Sequence, residues 1–295
     1  MNRARLITLG TLGGPNPRAK RAQTSNLLIV DGEFYVIDAG DGVARRLAKA
    51  GIPIREIGTI FITHHHDDHT AGLGTLMSVA WDQQRTTPIH VYGPPGTERL
   101  VEAAVEYFTP SSEIRIADGG RSVPIAEIFC GHDVGTGTIY RDKNITVTAA
   151  ENTHYGFHKE AKFKSYALRF ETPDRVIAFT GDTGPSEAVV ELAQNADLLV
   201  TETSSFEQRK QRLIAAGQWQ AMTPAEQAGT VRQGTRGHMD LEAVGKTAAA
   251  AKVKTLVLSH LTARADGSDD YAAWADEVRK YFSGDVLIAQ DLMEF

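Results

Sequence analysis

Residues 63–69 read THHHDDH, from Thr63 to His69, and this stretch decides how the rest of the chain is interpreted. It follows an apolar run at 57–62 that predicts a buried strand, and it precedes a predicted helix at 72–83. Functional side chains of open α/β folds gather at such strand ends. Residues 64–69 contain four histidines and two aspartates, and three imidazoles with a carboxylate among them would suit zinc, manganese or iron. A run of solvated polar residues is the alternative, and the adjacent buried strand argues against it.

The composition supports a metal site built from histidine and carboxylate. The 295 residues include ten histidines and a single cysteine, Cys130. One cysteine forms neither an internal disulfide nor a CxxC zinc pair. With 42 % apolar and 23 % charged residues, the chain is neither disordered nor collagen-like. The net charge of −6 argues against a general nucleic-acid binder, although a local basic patch could serve one.

The expected location is the cytoplasm. No stretch reaches the roughly 18 apolar residues that a membrane span needs, so no membrane partner is expected. Residues 1–14, MNRARLITLGTLGG, are too short in their apolar part for a secretory signal and favour a first strand. An exported protein would require a leader removed before residue 1.

Short apolar runs alternate with helical patterns along the chain, and many of the runs pair as hairpins. This arrangement favours an α/β fold with mixed sheets in one domain, residues 1–295. Residues 110–144 are glycine-rich and weakly patterned. The predicted strands are 6–9, 27–30, 34–37, 57–62, 89–92, 145–149, 165–170, 176–179, 198–200 and 255–258, and the predicted helices are 43–50, 72–83, 97–108, 185–195, 204–233 with breaks at Gly217 and Pro224, 241–252 and 270–282.

The pattern His-x-His-x-Asp-His at 64–69 resembles the signature of the metallo-β-lactamase fold superfamily. Three later stretches follow in that family's order: ENTH at 151–154, FTGDTG at 179–184 and LSH at 258–260. The resemblance covers nearly the whole chain. It implies an αβ/βα sandwich of two mixed sheets flanked by helices.

The resemblance also implies a dinuclear metal site. One ion would be held by His64, His66 and His154, the other by Asp68, His69 and His260, with Asp182 bridging both. Two divalent ions are expected, with Zn²⁺ as first candidate and Mn²⁺ or iron as alternatives. A hydroxide bridging the two ions would be the nucleophile.

Several of these residues have plainer alternatives when each is taken alone. His158 and His132 compete with His154, and His260 could be an ordinary core histidine. Asp182 could cap the helix that begins near Pro185. Their positions at strand ends favour the ligand roles. Asp38 also ends a strand, and we expect it to orient a ligand histidine.

Four further stretches resemble the ribonuclease Z branch of the superfamily: TSNL at 24–27, GPPGT at 93–97, TGDTGP at 180–185 and GHMD at 237–240. By that resemblance His238 would be a general acid or an oxyanion partner, and Asp68 would be catalytic as well as a ligand. A helix-capping role is the alternative for His238.

Two segments carry local positive charge, although the chain is acidic overall. Residues 11–30 and 203–237 each have a local charge of +3. An ordinary solvated face is the alternative, but cations beside the site would favour an anionic ester. The segment 203–237 is predicted to be a helical, lid-like insertion. The expected substrate-binding residues are Arg18, Lys20, Arg21, Arg209 and Arg236.

One feature departs from the ordinary bacterial ribonuclease Z pattern. Those enzymes clamp tRNA with a long arm, whereas residues 170–176, FETPDRV, predict a tight hairpin here. Residues 94–144 offer no basic substitute, with five Lys/Arg against eight Asp/Glu. The chain therefore looks more like arylsulfatase-like and cyclic-phosphodiesterase-like members, which lack the arm.

The expected function is hydrolysis of a small anionic ester, either a sulfate ester or a phosphodiester, by a dinuclear metal site. The first alternative is a ribonuclease Z-like endonuclease that processes tRNA 3′ ends, and the second is a lactone or carboxyl-ester hydrolase. An iron-dependent oxidoreductase on the same fold is a further alternative. Many members of the family form dimers, so a homodimer is also considered.

Overall fold

The computed structural model describes residues 4–158 and 162–295, which form two compact units. The first unit contains the chain up to Thr11, Pro15–Gly135 and Gln290–Phe295. The second contains Leu12–Gly14 and Thr136–Ala289. Each unit is built on one mixed β-sheet. No helix of the described ranges is long and apolar enough to cross a membrane.

The first unit has a sheet with the strand order β15-β1-β3-β4-β5-β6-β7. Strands β15 to β4 of this order are antiparallel and β4 to β7 are parallel. Its elements are β1 (Ala4–Gly10), β3 (Ser25–Val30), β4 (Glu33–Ala39), α1 (Val43–Lys49), a 3₁₀ turn (Ile54–Glu56), β5 (Thr59–Phe61), α2 (Asp67–Thr70), α3 (Leu73–Asp82), β6 (Ile89–Gly93), α4 (Thr97–Ala117), a 3₁₀ turn (Ile125–Glu127), β7 (Phe129–Asp133) and β15 (Met293–Glu294).

The second unit has the strand order β14-β13-β12-β11-β10-β9-β8, and β2 also pairs with β13. Strands β8 to β11 are antiparallel, and β11 to β14 are parallel. Its elements are β2 (Leu12–Gly13), β8 (Gly137–Arg141), β9 (Thr146–Glu151), β10 (Tyr166–Glu171), β11 (Val176–Phe179), α5 (Glu187–Leu192), β12 (Leu198–Thr203), α6 (Phe206–Ala215), α7 (Gln218–Ala221), α8 (Pro224–Arg236), α9 (Leu241–Ala250), β13 (Thr255–Thr262), α10 (Ala272–Val278) and β14 (Asp285–Ile288).

The predicted fold class, α/β with two mixed sheets flanked by helices, is confirmed. Buried aliphatic side chains of β3, β5 and β6 form the core of the first unit with α1 and α3. Those of β12 and β13 form a core in the second unit with α9 and α10. The predicted tight hairpin is also present, since the backbone N–H of Thr172 donates to the carbonyl of Arg175 between β10 and β11.

Helix α4 is longer than the sequence predicts. It was expected over 97–108, but it passes through Pro110 and ends at Ala117. Proline removes one backbone donor from the helix. The carbonyl freed four residues earlier belongs to Glu106, an exposed residue, where water can satisfy it. Beyond the proline, Ile116 packs on the core of the first unit, and this burial extends the helix.

Residues 110–144 contain two strands that the weak sequence pattern did not predict. β7 pairs in parallel with β6, and β8 pairs antiparallel with β9. Phe129 is buried in β7, but β8 has no buried residue. An edge strand of this kind lacks the alternating apolar pattern from which strands are predicted.

Candidate metal centre

In the first unit, four predicted ligands follow β5 on a short loop and helix α2. His64, Asp68 and His69 are each at most 4 % exposed, and His66 is half-buried. Nε2 of His64 lies 3.2 Å from Nδ1 of His66, and Nε2 of His69 lies 3.8 Å from Oδ2 of Asp68. Buried imidazole and carboxylate groups this close together match the donor set of a divalent metal site.

Asp38, near the end of β4, contacts His69 and the loop that carries the predicted ligands. Its Oδ2 lies 2.8 Å from Nδ1 of His69, and its Oδ1 accepts the backbone N–H of Thr63 at 2.8 Å. The hydroxyl of Thr63 lies 3.1 Å from Nδ1 of His64. These bonds engage the Nδ1 atoms of His64 and His69, which is the arrangement in which a histidine binds a metal through Nε2. Asp38 therefore contacts a predicted ligand directly, and its orienting role stays a prediction.

In the second unit, two predicted ligands follow strands β9 and β11, and a third lies near the end of β13. His154, Asp182 and His260 are each at most 4 % exposed. Oδ1 of Asp182 lies 3.2 Å from Nε2 of His260. Nδ1 of His154 lies 2.6 Å from the carbonyl oxygen of Gly237, which is the arrangement in which a histidine binds a metal through Nε2. The donor types, their burial and this second bond of His154 fit a metal ion.

Asp38 and His260 share an unusual backbone conformation. Both have a positive φ, 57° for Asp38 and 45° for His260. Each is the extra residue of a β-bulge: β4 skips Asp38 in its pairing with β3, and β13 skips His260 in its pairing with β12. A bulge turns a side chain away from the normal alternation of the strand. The alternation of apolar residues along the two strands does not predict either bulge.

Sequence reasoning missed Glu202, which ends the buried strand β12. Oδ1 or Oδ2 of Asp182, a carboxylate oxygen of Glu202 and a nitrogen of His260 lie within 4.8 Å of one another. Both oxygens of Glu202 are nevertheless engaged. Oε1 accepts the backbone N–H of Thr183 at 2.7 Å, and Oε2 lies 2.7 Å from Nδ1 of His238. Glu202 therefore holds His238, and a buried acid at a strand end was the signal that could have found it.

His238 lies next to the ligand residues of its unit. Its ring centroid is 4.9 Å from that of His154, and its Nδ1 lies 3.9 Å from Oδ2 of Asp182. Burial lowers the pKa of His238, but the charge and hydrogen bond of Glu202 outweigh burial and raise it. Burial raises the pKa of the Glu202 carboxyl against the opposing charge of His238.

Two of the plainer alternatives are wrong. Asp240, not His238, caps helix α9 through a bond from the N–H of Ala243. Ser186, not Asp182, caps helix α5. Of the histidines that competed with His154, His132 lies in β7 with its Nε2 2.9 Å from Nδ1 of His90. The ring of His158 packs against that of Phe157.

The predicted substrate-binding residues differ in their surroundings. Arg18 and Lys20 are exposed, whereas Arg21 is buried and donates to the hydroxyl of Thr11 at 2.7 Å. Arg236 is exposed at the end of α8. Arg209 on α6 is half-buried and donates to the side-chain oxygen of Gln233, whose amide nitrogen lies 2.8 Å from Nε2 of His238. In the second unit, Arg209 is thus linked to the candidate site.

Comparison with known proteins identifies the family. The family model described as the beta-lactamase superfamily domain matches residues 34–261. Ribonuclease Z from Mycobacterium sp. (strain KMS) is 31 % identical over 291 residues, which cover 97 % of this chain and 94 % of the relative. The chain belongs to the metallo-β-lactamase superfamily, in its ribonuclease Z branch. Membership makes it a metal-dependent hydrolase of ester bonds, and with the buried His/Asp donors it indicates divalent metal binding.

Other relatives and solved structures agree with this fold. Ribonuclease Z from Methanothermobacter thermautotrophicus is 27 % identical over 84 % of this chain and 83 % of its own length. The metallo-β-lactamase fold protein YhfI from Bacillus subtilis superposes with a TM-score of 0.71 at 20 % identity, covering 100 % of this chain and 99 % of its own. The short form of human tRNase Z gives a TM-score of 0.65 at 21 % identity, covering 99 % and 98 %.

Proposed function

We propose that this member of the superfamily hydrolyses phosphodiesters and that RNA is its first candidate substrate. The observation that carries the proposal is the Glu202–His238 pair, 2.7 Å apart and beside Asp182 in the second unit. Sequence kinship to enzymes named ribonuclease Z supports the substrate class. Hydrolysis of a sulfate ester stays a prediction from the sequence.

The metal site is proposed as the family pattern implies. His64, His66 and His154 would hold one ion; Asp68, His69 and His260 would hold the second; Asp182 would be shared. Zn²⁺ is the first candidate, because imidazole and carboxylate form its usual donor set. When bound, such ions activate a water and stabilise developing negative charge on the substrate.

His238 would act on the leaving group. Glu202 accepts the Nδ1 proton of His238, which fixes the ring and directs Nε2 away from the carboxylate. A proton on Nε2 could then pass to the leaving oxygen as the ester bond breaks. Glu202 would stabilise the charged ring, as a carboxylate does for a catalytic histidine in other hydrolases.

A small phosphodiester is the second candidate substrate. The tight hairpin between β10 and β11 leaves no room for a long tRNA-binding arm at that place. The mycobacterial ribonuclease Z nevertheless aligns with 97 % of this chain. The short hairpin alone therefore does not decide between RNA and a small phosphodiester as the substrate. Arg209 would bind the anion of either substrate. The lid role of 203–237, the homodimer and the cytoplasmic location stay predictions.

One panel of substrates tests the proposal. The metal content of the protein is measured, and the same preparation is incubated with precursor tRNA, bis(p-nitrophenyl) phosphate, an aryl sulfate and a lactone. The proposal expects cleavage of a phosphodiester, with specific 3′ cleavage of precursor tRNA if RNA is the substrate. Turnover of bis(p-nitrophenyl) phosphate but not of precursor tRNA would favour a small phosphodiester as the substrate. Turnover confined to the aryl sulfate or the lactone would refute phosphodiesterase activity.

A further inference from the structure

A chain of three hydrogen bonds runs from helix α6 to the end of β12. The guanidinium of Arg209 donates to Oε1 of Gln233, and the amide nitrogen of Gln233 lies 2.8 Å from Nε2 of His238. Nδ1 of His238 in turn lies 2.7 Å from Glu202. The amide nitrogen of Gln233 therefore contacts Nε2 of His238, the ring nitrogen that faces away from Glu202.

The direction of the bond from Gln233 to His238 follows from its neighbours. Arg209 has only donors, so the Gln233 atom facing it must be the carbonyl oxygen. The amide N–H₂ then faces His238, whose Nε2 accepts the bond. A substrate oxygen can reach Nε2 of His238 only after Gln233 has left it.

The backbone around Gln233 is fixed, although its side chain is only half-buried. A Cβ on Gly234 would lie 2.4 Å from the ring of Phe206, so α6 and α8 pack closely at this point. A Cβ on Gly184 would lie 2.1 Å from the carbonyl oxygen of Arg236, which fixes the end of α8. The contact can thus open by rotation of the Gln233 side chain without movement of the helix.

The charge of Arg209 favours opening by an anion. Within residues 4–158 and 162–295, no carboxylate oxygen lies within 4 Å of its guanidinium, and its recorded partner is the neutral amide of Gln233. A bond to an anion adds a direct attraction between opposite charges, which the neutral amide of Gln233 does not supply. Exchange of the amide oxygen for a phosphate oxygen would therefore be favourable for Arg209, whereas a neutral ester would give no such gain.

We infer that Gln233 is a specificity-determining residue: it competes with substrate for Nε2 of His238, and an anionic substrate displaces it by engaging Arg209. The inference rests on the proposed function, since it assigns His238 to the leaving group and Arg209 to the anion. It predicts opposite effects for two side chains in direct contact: Gln233 weakens substrate binding and Arg209 strengthens it.

The test compares three variants in hydrolysis of bis(p-nitrophenyl) phosphate. Gln233→Ala should lower KM about two- to tenfold, the worth of one neutral hydrogen bond, with kcat nearly unchanged. Arg209→Gln should raise KM at least tenfold. Gln233→Glu should also raise KM at least tenfold, because a carboxylate would pair with Arg209 and accept from His238.

Gln227→Ala is the matched control, because Gln227 lies on the same helix and donates to the carbonyl of Trp219 at 2.9 Å, away from His238. It should leave KM unchanged. An equal fall in KM for Gln227→Ala and Gln233→Ala would show that the effect comes from the stability of helix α8 and not from the contact with His238. That result would overturn the inference. A rise in KM or a large fall in kcat for Gln233→Ala would overturn it as well.

Binding of inorganic phosphate to metal-free protein gives a second readout that does not need turnover. Calorimetry should show tighter phosphate binding in Gln233→Ala than in wild type and weaker binding in Gln233→Glu. Identical affinities in all three proteins would overturn the inference. If wild type hydrolyses no phosphodiester but the phosphate affinities differ as expected, the proposed function fails while the competition by Gln233 stands.

Discussion

At the scale of single residues, His260 is held in a conformation that few side chains adopt. Its φ of 45° lies in the left-handed region, which costs a non-glycine residue about 1–2 kcal/mol. The neighbouring strand β2 leaves room for it only because residue 13 is glycine: a Cβ there would lie 2.5 Å from Nδ1 of His260. The absence of a side chain at Gly13 on β2 thus leaves space for the ring of His260 on β13.

Gly13→Ala should therefore weaken metal binding without touching a ligand. The added methyl group would push His260 away from Asp182, whose Oδ1 lies 3.2 Å from it. We expect at least a tenfold loss of metal affinity, measured by competition with a chelator. Gly135→Ala is the control, because a Cβ there meets no atom within 4 Å. Equal metal affinity in both variants would contradict the account.

Glu202→Gln tests the acid that sequence reasoning missed. Oε1 of Glu202 accepts the N–H of Thr183, so the amide oxygen of Gln would stay there and its N–H₂ would face Nδ1 of His238. The ring would then lose the carboxylate that stabilises its charged form, so His238 would be less able to donate a proton from Nε2. We expect kcat to fall by about 10²–10⁴-fold, the usual worth of general acid catalysis, with metal content unchanged. Loss of metal would instead make Glu202 a ligand.

At the scale of elements, helices α6 and α8 depend on one close contact. Gly234 is buried, and a Cβ there would lie 2.4 Å from Phe206. Gly229, on the same helix, would meet only Arg232, at 3.9 Å. Gly234→Ala should destabilise by about 1–3 kcal/mol through overpacking, whereas Gly229→Ala should stabilise by about 0.5–1 kcal/mol through helix propensity. Denaturant unfolding measures both, and equal effects would contradict the packing described.

His90 on β6, beside the edge strand β7, predicts a pH dependence of stability. Burial, then the charges of His132 and Arg85, lower the pKa of His90 below its ordinary 6.5. As pH falls below about 6.5, the unfolded chain binds a proton that the folded chain does not, so stability falls. His90→Gln should make the free energy of unfolding less dependent on pH between 6.5 and 5. An unchanged or steeper dependence would contradict the assignment.

The sequence predicted that the seven proposed ligands follow strands. Six of them do, whereas His260 lies inside β13. The metal-binding roles of all seven stay predictions. Glu202 was missed because one acid at a strand end forms no motif. The bulges at Asp38 and His260 depend on pairing between strands, which local alternation does not reveal. The length of α4 was missed because burial of Ile116 outweighs the effect of Pro110.

At the scale of the whole molecule, the net charge is −6, yet the proposed substrate is an anion. Binding would therefore depend on local groups such as Arg209 and on divalent ions rather than on a general positive field.

The most direct test measures metal content and phosphodiester turnover on the same preparations of wild type, Asp182→Ala and His238→Ala. We predict that wild type contains divalent metal and cleaves a phosphodiester. Asp182→Ala should lose at least one metal and most turnover, and His238→Ala should keep its metal but turn over at least a hundredfold more slowly. Full metal content and full turnover in Asp182→Ala, or one iron with oxygen uptake in wild type, would contradict the account.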